Sequence, residues 1–347
     1  MATPTIPTSS STGRSTPPLR IGILGAARIA PAAMISPARS VPEVTVAAIA
    51  ARDQARAQRF ARKHRIPRVH ATYDDLIADP EIDAIFNPLP NGLHCVWTIR
   101  ALEAGKHVLC EKPFAANAAE AEQMAAAATR SGRVLMEAFH YRYHPLAARM
   151  IELVRGGTLG RVQHIETTMC VPLPLPGNIR YRYDLAGGAT MDTGAYCVHM
   201  LRHLAGDEPA VTRAEARLSS PGVDRWMTAD FTFADGRTGR MTCALFSSTL
   251  LKITARVVGD RGELRVWNPV LPQLYHRLAV RTGDGTRVER VPGRPTYEHQ
   301  LRAFADSVLN GAAVLTPPQD SIANMRVIDG IYQKAGLPLR GQPAARG

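Results

Sequence analysis

Residues His107–Phe114 read HVLCEKPF, and this stretch decides how the first half of the chain is interpreted. The apolar run that ends at Cys110 is typical of a buried strand, and Pro113 stops it because proline fixes φ and restricts the preceding residue. Ligands bind at the carboxyl ends of strands in an open α/β sheet, so Lys112 is expected to project into a crevice. The alternative is a solvated lysine at a strand end, and spacing alone leaves both interpretations open.

Lysine is scarce in this chain, which sets Lys112 apart. Arginine cannot lose its proton usefully, whereas a lysine can shift its pKa and take part in chemistry. A lysine retained at a strand end is therefore a candidate chemical group. The 42 basic residues include only five lysines: Lys63, Lys106, Lys112, Lys252 and Lys334.

Outward from this stretch, the chain shows two kinds of pattern. Strand-like runs such as Val44–Ala50 alternate with helical segments over residues 20–145, which predicts parallel βαβ units and a doubly wound Rossmann sheet. Over residues 146–340, alternating runs separated by turns such as Asp235-Gly236 predict an α+β domain on a large, mostly antiparallel open sheet. Residues 1–19 are rich in Ser, Thr and Pro and are predicted to form a disordered tail.

Composition excludes several classes of protein. The net charge of +12 comes from scattered arginines without a basic block or an aromatic platform, so no nucleic-acid partner is predicted. No apolar run reaches the length of a membrane span, and the N-terminal segment lacks an apolar signal core. The five cysteines form no CxxC pair, which favours buried thiols in a reducing compartment. These features predict a cytoplasmic protein without a membrane partner.

The turn after the first strand is a degraded dinucleotide fingerprint. Gly25 takes the first glycine position, while Ala27 and Ala30 replace the other two. Small side chains still let a pyrophosphate approach the backbone at a helix N-terminus. An ordinary βα turn is the alternative. The cofactor-binding residues predicted here are Gly25, Ala26, Ala27, Arg28 and Ile29.

The end of the second strand bears on which dinucleotide is bound. An acid there would bind the ribose hydroxyls and repel a 2′-phosphate, but Ala51 stands at that position with Arg52 beside it. A guanidinium forms charge-assisted paired bonds with phosphate, so NADP is predicted over NAD. The alternative is that Arg52 faces solvent and Asp53 merely caps the next helix.

A third constellation lies in Gly187–Tyr196. On a helix, Asp192 and Tyr196 share one face, so the carboxylate can orient the phenol. A nearby ammonium from Lys112 would lower the phenol's pKa for acid–base work, whereas the alternative is a buried tyrosine bonded to a capping aspartate. His199 and His203 continue the stripe, but no third ligand has suitable spacing and no metal site is predicted.

Together these motifs resemble the Gfo/Idh/MocA oxidoreductases, over about residues 20–335. The resemblance implies an N-terminal Rossmann domain and a C-terminal domain whose open sheet forms a homodimer or homotetramer interface. The matching elements are Pro88–Asn91 with His94, Gly105–Pro113, Glu137–Phe139 before Tyr141–Pro145, Gly187–Tyr196, and Tyr297–Gln300.

The same resemblance implies roles for individual residues. Lys112 corresponds to the catalytic lysine, and Glu111 is expected to contact the cofactor near the nicotinamide ribose. Tyr196 stands where the inositol dehydrogenase branch has histidine. The branches of glucose–fructose oxidoreductase, sugar 3-ketoreductase, NADP-dependent xylose dehydrogenase and dihydrodiol dehydrogenase have tyrosine at this position. The remaining residues expected on the cofactor side are Ala51, Asn87, Leu89, Pro90, Asn91, His94 and Tyr297, with Asn91 and His94 beside the nicotinamide.

These features predict an oxidoreductase that transfers a hydride between NADP(H) and a sugar or polyol, with Tyr196 as acid/base, Lys112 stabilising the alkoxide, and Asp192 orienting Tyr196 or a substrate hydroxyl. The alternatives are an aromatic trans-dihydrodiol dehydrogenase and a non-catalytic dinucleotide sensor. The particular substrate and the direction of reaction stay open. The loop residues expected to contact substrate are Arg142, His144, Arg180 and Tyr183, of which the last two fit a surface loop equally well.

Overall fold

The computed structural model describes residues 17–173 and 177–341, so most of the predicted tail at residues 1–19 lies outside the described residues. The first sheet has six parallel strands in the order β3-β2-β1-β4-β5-β6, which is the Rossmann order. The predicted doubly wound sheet is therefore confirmed. Its strands are β1 (Leu19–Leu24), β2 (Val44–Ala50), β3 (Arg68–His70), β4 (Ala84–Asn87), β5 (His107–Cys110) and β6 (Leu135–Glu137).

Three of the helices that cover this sheet begin at a short polar side chain that caps them. Asp53 accepts the Arg56 amide, and Asn117 accepts the Glu120 amide. Asn91 stands before a helical segment in the sequence and is of a type expected to cap it, but its side-chain amide donates to the Ala186 carbonyl instead. The elements are a wide helical turn (Pro31–Ile35) that continues into α1 (Ser36–Ala38), α2 (Gln54–His64), α3 (Tyr73–Ala78), a 3₁₀ turn (Asn91–Leu93), α4 (His94–Glu103) and α5 (Ala118–Ser131).

The second sheet has eight strands in the order β14-β13-β12-β11-β7-β10-β9-β8. All of its pairs are antiparallel except β7 with β10, so the prediction of a mostly antiparallel sheet is confirmed. Burial alternates along β9, because one face lies on the core. The strands are β7 (Val162–Cys170), β8 (Ala210–Ser220), β9 (Val223–Thr232), β10 (Thr238–Ala244), β11 (Lys252–Gly259), β12 (Gly262–Trp267), β13 (Arg277–Thr282) and β14 (Gly285–Glu289).

The remaining helices bring the second half of the chain onto the first. Leu301 and Phe304 of α8 share one buried cluster with Ile21 and Phe86 of the Rossmann sheet. In the described part of the chain, no helix combines the length and apolar character that crossing a membrane requires. The elements are a 3₁₀ turn (His140–Tyr143), α6 (Pro145–Arg155), two 3₁₀ turns (Ile179–Tyr181 and Tyr183–Leu185), a wide helical turn (Thr190–Gly194) that continues into α7 (Ala195–Ala205), α8 (Thr296–Asn310) and α9 (Pro318–Lys334).

Candidate active site

Three neighbouring strands end side by side next to a cluster of polar side chains. The cluster consists of Lys112, Asp192, Arg180 and Tyr196. Asn87 of β4 pairs with Cys110 of β5, which pairs with Glu137 of β6. Because the strands are parallel, the residues that follow each one emerge at the same edge of the sheet. Lys112 comes two residues after the end of β5, as the sequence predicted, and its ammonium extends toward the wide turn before α7.

The Lys112 ammonium is held by Asp192. Nζ lies 2.9 Å from the Asp192 backbone oxygen and 3.1 Å from Oδ1. The other carboxylate oxygen, Oδ2, lies 2.8 Å from Nε of Arg180. Burial would raise the pKa of Asp192, but the charges of Lys112 and Arg180 outweigh burial and lower it. Asp192 is therefore an ionised bridge between two cations.

Tyr196 meets this ion cluster through its ring rather than its hydroxyl. Lys112 Nζ lies 4.7 Å from the ring centre, and the phenol oxygen lies 3.0 Å from Nε2 of His140. Burial raises the pKa of Tyr196 well above its ordinary value, and Tyr297 and Glu111 act in the same direction. The expected lowering of the Tyr196 pKa is wrong, because burial is the largest cause and raises it, while the Lys112 ammonium lies over the ring.

Asp192 does not orient Tyr196 directly. Both of its carboxylate oxygens are taken by Lys112 and Arg180, and the bond to the phenol is made by a histidine. The expected Asp192–Tyr196 contact is therefore corrected: sharing a helix face placed the two residues together, but the two cations compete successfully for the carboxylate.

Glu111 is a buried carboxyl with room for a donor. Its Oε1 has no hydrogen-bond partner among residues 17–173 and 177–341, and only the Lys112 amide approaches Oε2, at 3.3 Å. Burial raises the pKa of Glu111 to about 7, although the charge of Lys112 opposes this shift. An orphaned carboxylate oxygen next to Lys112 fits the hydroxyl donors of a cofactor ribose.

The turn after β1 also fits a dinucleotide. Gly25 adopts φ +81°, and a Cβ at this residue would lie 3.0 Å from the Leu89 side chain, so glycine suits both the conformation and the space. Its amide donates to the Ala50 carbonyl at 2.7 Å, which ties the turn to β2. Ala26 is buried and Ala27 is half-buried, whereas Arg28 and Ile29 are exposed. The turn thus offers a small-residue surface at the end of β1.

Arg52 follows directly on β2, beyond the buried Ala51. Its side chain is exposed and forms no ion pair in the described part of the chain. Asp53 caps α2, and Arg56 donates to the Ala26 carbonyl at 2.7 Å, so both sit between the turn and α2. Asp53 caps the helix, as the alternative expected, while the role of the exposed Arg52 toward a phosphate stays a prediction.

Two expected cofactor residues are buried structural ties instead. The ring of His94 is fully buried, with Nδ1 2.8 Å from the Pro113 carbonyl and Nε2 2.7 Å from the Leu89 carbonyl. Asn87 is also fully buried and bonds to Thr98 and the His94 backbone. Neither side chain is available to a cofactor, because each is consumed in holding the loops after β4 and β5.

The remaining residues predicted around the cofactor differ in exposure. Leu89 is buried against Gly25, while Pro90 and Asn91, in the loop after β4, are half-buried. Tyr297 reaches the site from α8 and stacks on His140 with ring centres 4.1 Å apart. Burial and the charge of Glu111 raise the pKa of Tyr297. Tyr297 therefore forms a wall between α8 and the end of β5.

Only one of the four residues predicted to contact substrate joins the cluster. Arg180 reaches Asp192, whereas Tyr183 donates to the Leu339 carbonyl at 2.8 Å. His144 caps α6 by accepting the Leu146 amide at Nδ1, at 3.0 Å, and substrate contact by His144 and Tyr183 stays a prediction. Arg142 is half-buried beside Tyr141 and Tyr143, and its Nε has no described partner.

His199 and His203 meet a third polar group that spacing could not reveal. Asp320 of α9 accepts from both, with Oδ2 3.0 Å from His199 Nε2 and 3.3 Å from His203 Nε2. Its other oxygen lies 2.9 Å from Arg202. Spacing in the sequence offered no third ligand, and the structure supplies one from a distant helix. Arg202 forms an ion pair with Asp320, so the carboxylate between the two histidines already has a charged partner.

His140 is the site residue that the sequence interpretation missed. It follows Glu137 by three residues, at the same sheet edge as Lys112, and this position was the available signal. Its partner Thr296 lies at the start of α8, 156 positions away in the chain. No periodicity links two residues at that separation.

The fold and this cluster define an oxidoreductase with a dinucleotide-binding Rossmann domain. The chain belongs to the Gfo/Idh/MocA family: the model described as "Oxidoreductase family, NAD-binding Rossmann fold" matches residues 19–139, and that of the GFO/IDH/MocA C-terminal domain matches residues 147–265. The resemblance inferred from the sequence is confirmed. The protein is therefore an enzyme of the dehydrogenase and reductase class.

Individual relatives cover nearly the whole chain. It is 35% identical over 318 residues to D-xylose 1-dehydrogenase (NADP(+)) 2 of Haloferax volcanii, covering 91% of this chain and 97% of that protein. It is 34% identical over 252 residues to trans-1,2-dihydrobenzene-1,2-diol dehydrogenase of Danio rerio, covering 72% and 74%. The structure of a 3-ketoreductase from Actinomadura kijaniata with NADP and TDP-benzene superposes with a TM-score of 0.85 at 28% identity, covering 91% and 98%.

Proposed function

We propose that the protein is an NADP(H)-dependent oxidoreductase acting on a hydroxyl or carbonyl carbon of a sugar or sugar-like polyol. The observation that carries the proposal is the Lys112 ammonium, 4.7 Å from the Tyr196 ring centre and 3.1 Å from Asp192 Oδ1. The relatives that act on D-xylose and on a dTDP-linked keto sugar support the sugar class.

When bound, the nicotinamide ring supplies or accepts the hydride. Tyr196 donates its hydroxyl proton to the substrate oxygen during reduction and accepts a proton from the substrate hydroxyl during oxidation. Lys112, fixed by Asp192, stabilises the negative charge that develops on that oxygen. The Nη groups of Arg180, whose Nε is held by Asp192, donate hydrogen bonds to substrate hydroxyls.

The residues suited to hold the cofactor lie along the carboxyl edge of the Rossmann sheet. The turn at Gly25 is placed for the pyrophosphate and Glu111 for the ribose beside the nicotinamide. Arg52, exposed at the end of β2 and without a described ion pair, favours the 2′-phosphate of NADP over NAD. The NADP-dependent xylose dehydrogenase and the NADP-bound 3-ketoreductase support this preference.

The cofactor preference is tested by titrating wild type and Arg52→Ala with NADPH and NADH, following nicotinamide fluorescence. Loss of a charge-assisted pair should weaken NADPH binding ten- to a hundredfold and leave NADH within about twofold. Arg59→Ala, which removes an exposed arginine of α2, the helix that begins just after Arg52, is the control. Equal losses for both dinucleotides would reject the phosphate role of Arg52.

The catalytic assignment is tested with Lys112→Ala and Tyr196→Phe on a panel of pentoses, hexoses, ketosugars and inositols. Each variant should lose about 10²- to 10⁴-fold in turnover while NADPH still binds, because each removes a group that acts on the reacting oxygen. Near-normal turnover in either variant would defeat the assignment. NADPH binding by wild type without hydride transfer to any substrate would favour a sensor.

A second candidate function is supported by one relative. The similarity to the Danio rerio trans-dihydrodiol dehydrogenase, together with the aromatic rings of Phe139, Tyr141 and Tyr297 around the cluster, makes an aromatic diol a reasonable substrate. Trans-1,2-dihydrobenzene-1,2-diol is therefore included in the panel. A higher kcat/KM for this diol than for every sugar would favour the second function.

We also propose a domain boundary near residue 145, where α6 begins, with substrate binding and oligomerisation assigned to residues 146–340. Exposed apolar side chains on the eight-stranded sheet, including Leu218 and Trp267, support a homodimer or homotetramer. Light scattering after size exclusion separates these states from a monomer. Five buried free cysteines support a cytoplasmic location.

A further inference from the structure

His140 is fixed by three contacts deep in the active site. Its Nε2 lies 3.0 Å from the Tyr196 hydroxyl, and its Nδ1 lies 2.8 Å from Oγ1 of Thr296. The ring packs on Tyr297 with centres 4.1 Å apart, and only 2% of the residue is exposed. A ring restrained at both nitrogens and on one face presents one fixed atom to the phenol.

Within residues 17–173 and 177–341, His140 Nε2 is the only hydrogen-bond partner of the Tyr196 hydroxyl. The Lys112 ammonium is directed elsewhere, with Nζ over the phenol ring and bonded to two oxygens of Asp192. Lys112 therefore acts on the ring and on the substrate side. His140 is therefore the residue that can orient the phenol oxygen by a hydrogen bond.

The imidazole is neutral in this environment. Burial, reinforced by the charge of Lys112, lowers the pKa of His140 to about 3. A neutral imidazole has one N–H and one acceptor nitrogen, and the hydroxyl of Thr296 can satisfy either at Nδ1. When Thr296 donates to Nδ1, the N–H of His140 lies at Nε2 and faces the phenol oxygen.

We propose that His140 is a positioning residue that donates its Nε2–H to the oxygen of Tyr196 and thereby stabilises the phenolate formed when Tyr196 protonates the substrate. This inference rests on the proposed function. The O–H bond of Tyr196 breaks, an O–H bond forms on the substrate, and His140 keeps its own proton throughout. Water restores the Tyr196 proton after product leaves.

The hydrogen bond from His140 offsets the cost of forming a buried phenolate. An oxyanion formed in an apolar pocket is costly unless a donor is already aimed at it. The donor also leaves the phenol's own proton free to point at the substrate rather than at the imidazole. The titratable and charged groups that act on Tyr196 and His140 are Lys112, Glu111, Asp192, Arg180, Tyr141 and Tyr297.

The test compares His140→Phe with His140→Gln, using NADP⁺ and the panel sugar with the highest kcat/KM. Phenylalanine keeps the stack on Tyr297 and removes the bond, so kcat should fall ten- to a hundredfold while KM and NADPH affinity stay within about threefold. The kinetic pKa assigned to Tyr196 should rise. Glutamine, whose side-chain amide reaches the Nε2 position, should restore part of both. An unchanged pH profile, or a loss confined to KM, would overturn the proposal.

Thr296→Val provides a second variant that leaves the histidine in place. Valine has the volume of threonine without the hydroxyl, so the tautomer is no longer fixed and kcat should fall about three- to tenfold in the same direction. Wild-type kcat and pH profile in Thr296→Val would contradict the tautomer assignment. Thermal unfolding of each variant detects simple loss of structure, which would lower Tm without moving the kinetic pKa.

A double-mutant cycle separates this inference from the proposed function. If Tyr196 is the acid/base and His140 acts through it, adding His140→Phe to Tyr196→Phe should change kcat by less than about twofold. Full additivity would overturn the role of His140 while leaving that of Tyr196 intact. Retained activity in Tyr196→Phe alone would instead defeat the proposed function.

Discussion

Two aspartates of this protein bind cations in different surroundings. Asp224 is completely buried, and each of its oxygens has two donors: Tyr332 at 3.0 Å and Arg340 at 2.9 Å on Oδ1, and the Thr190 amide and hydroxyl at 2.7 Å on Oδ2. Asp192, in contrast, has one side-chain cation on each oxygen and an accessible surface.

The difference shows how a polar cluster that stabilises the fold differs from one that can bind a ligand. Around Asp224, the available donors are used within the protein, so the cluster can bind nothing further. Around Asp192, Arg180 is 41% exposed and the neighbouring Glu111 has an oxygen without a described partner. Polar groups left unsatisfied at a cleft are the ones that a substrate or cofactor can satisfy.

The two clusters are also connected along the chain. The Asp224 cluster holds the loop that leads into the turn carrying Asp192: Arg340 donates to the Gly187 carbonyl at 2.7 Å, and Gly188 sits at φ +138° with no space for a Cβ beside Asp224. The Asp224 cluster therefore fixes the start of the segment that carries Asp192.

The largest effect is expected from Asp224→Asn. Removing the charge leaves the fully buried guanidinium of Arg340 uncompensated, so the free energy of unfolding should fall by about 3–5 kcal/mol. Urea denaturation measures the change. Asp230→Asn is the control, because its pair with Arg240 is partly exposed and should contribute no more than about 1 kcal/mol. Equal losses in both variants would show that the buried Asp224 pair contributes no more to stability than the partly exposed Asp230 pair.

A smaller effect, on activity rather than stability, is expected from Asp192→Asn. The amide cannot hold Lys112 and Arg180 as firmly as the carboxylate, so kcat/KM should fall about ten- to a hundredfold. The free energy of unfolding should stay within about 1 kcal/mol of wild type, because this ion pair is partly exposed to solvent. A loss of stability as large as that of Asp224→Asn would show that Asp192 is also a structural tie.

A third buried carboxyl, Glu137, sharpens the comparison because neither of its oxygens has a hydrogen-bond partner in the described residues. Burial raises its pKa from 4.5 to about 8. The folded state therefore keeps a proton that the unfolded state has lost, so stability falls as pH rises between these two values, by roughly 1 kcal/mol per pH unit.

Glu137→Gln should remove this dependence, since an amide stays neutral at every pH. Thermal unfolding at pH 5 and pH 8 is the measurement, and the advantage of the variant over wild type should be greater at pH 8. Glu122→Gln, which changes an exposed carboxylate, serves as the comparison and should show no such trend. A constant difference between the Glu137 variant and wild type at both pH values would mean that the carboxyl is ionised in the folded state.

Much of the fold follows from patterns that extend over a few residues. The run Val44–Ala50 coincides with β2, because the residue period of a strand is a local property. Where a local rule failed, a distant group was responsible. Asn91 was expected to cap α4, but its side chain bonds to the Ala186 carbonyl, 95 positions away in sequence.

The candidate site divides in the same way. Lys112 could be found from sequence because the position after a parallel strand determines which edge of the sheet a residue reaches. The partners of that lysine and of the phenol could not be found so easily. The sequence also marked His94, but its identity as a polar residue near the cleft did not reveal that both ring nitrogens bond to backbone carbonyls.

The sequence by itself determined the alternation of strands and helices, the small-residue turn at Gly25 and a lysine at the mouth of β5, because each depends on neighbours within one or two turns of chain. Only the tertiary structure decided that Asp192 binds Lys112 across 80 positions and that His140 meets Tyr196 across 56. The physical reason is that a hydrogen bond requires its two atoms within about 3 Å. Packing of the whole chain, and no local pattern, sets such a distance between remote segments.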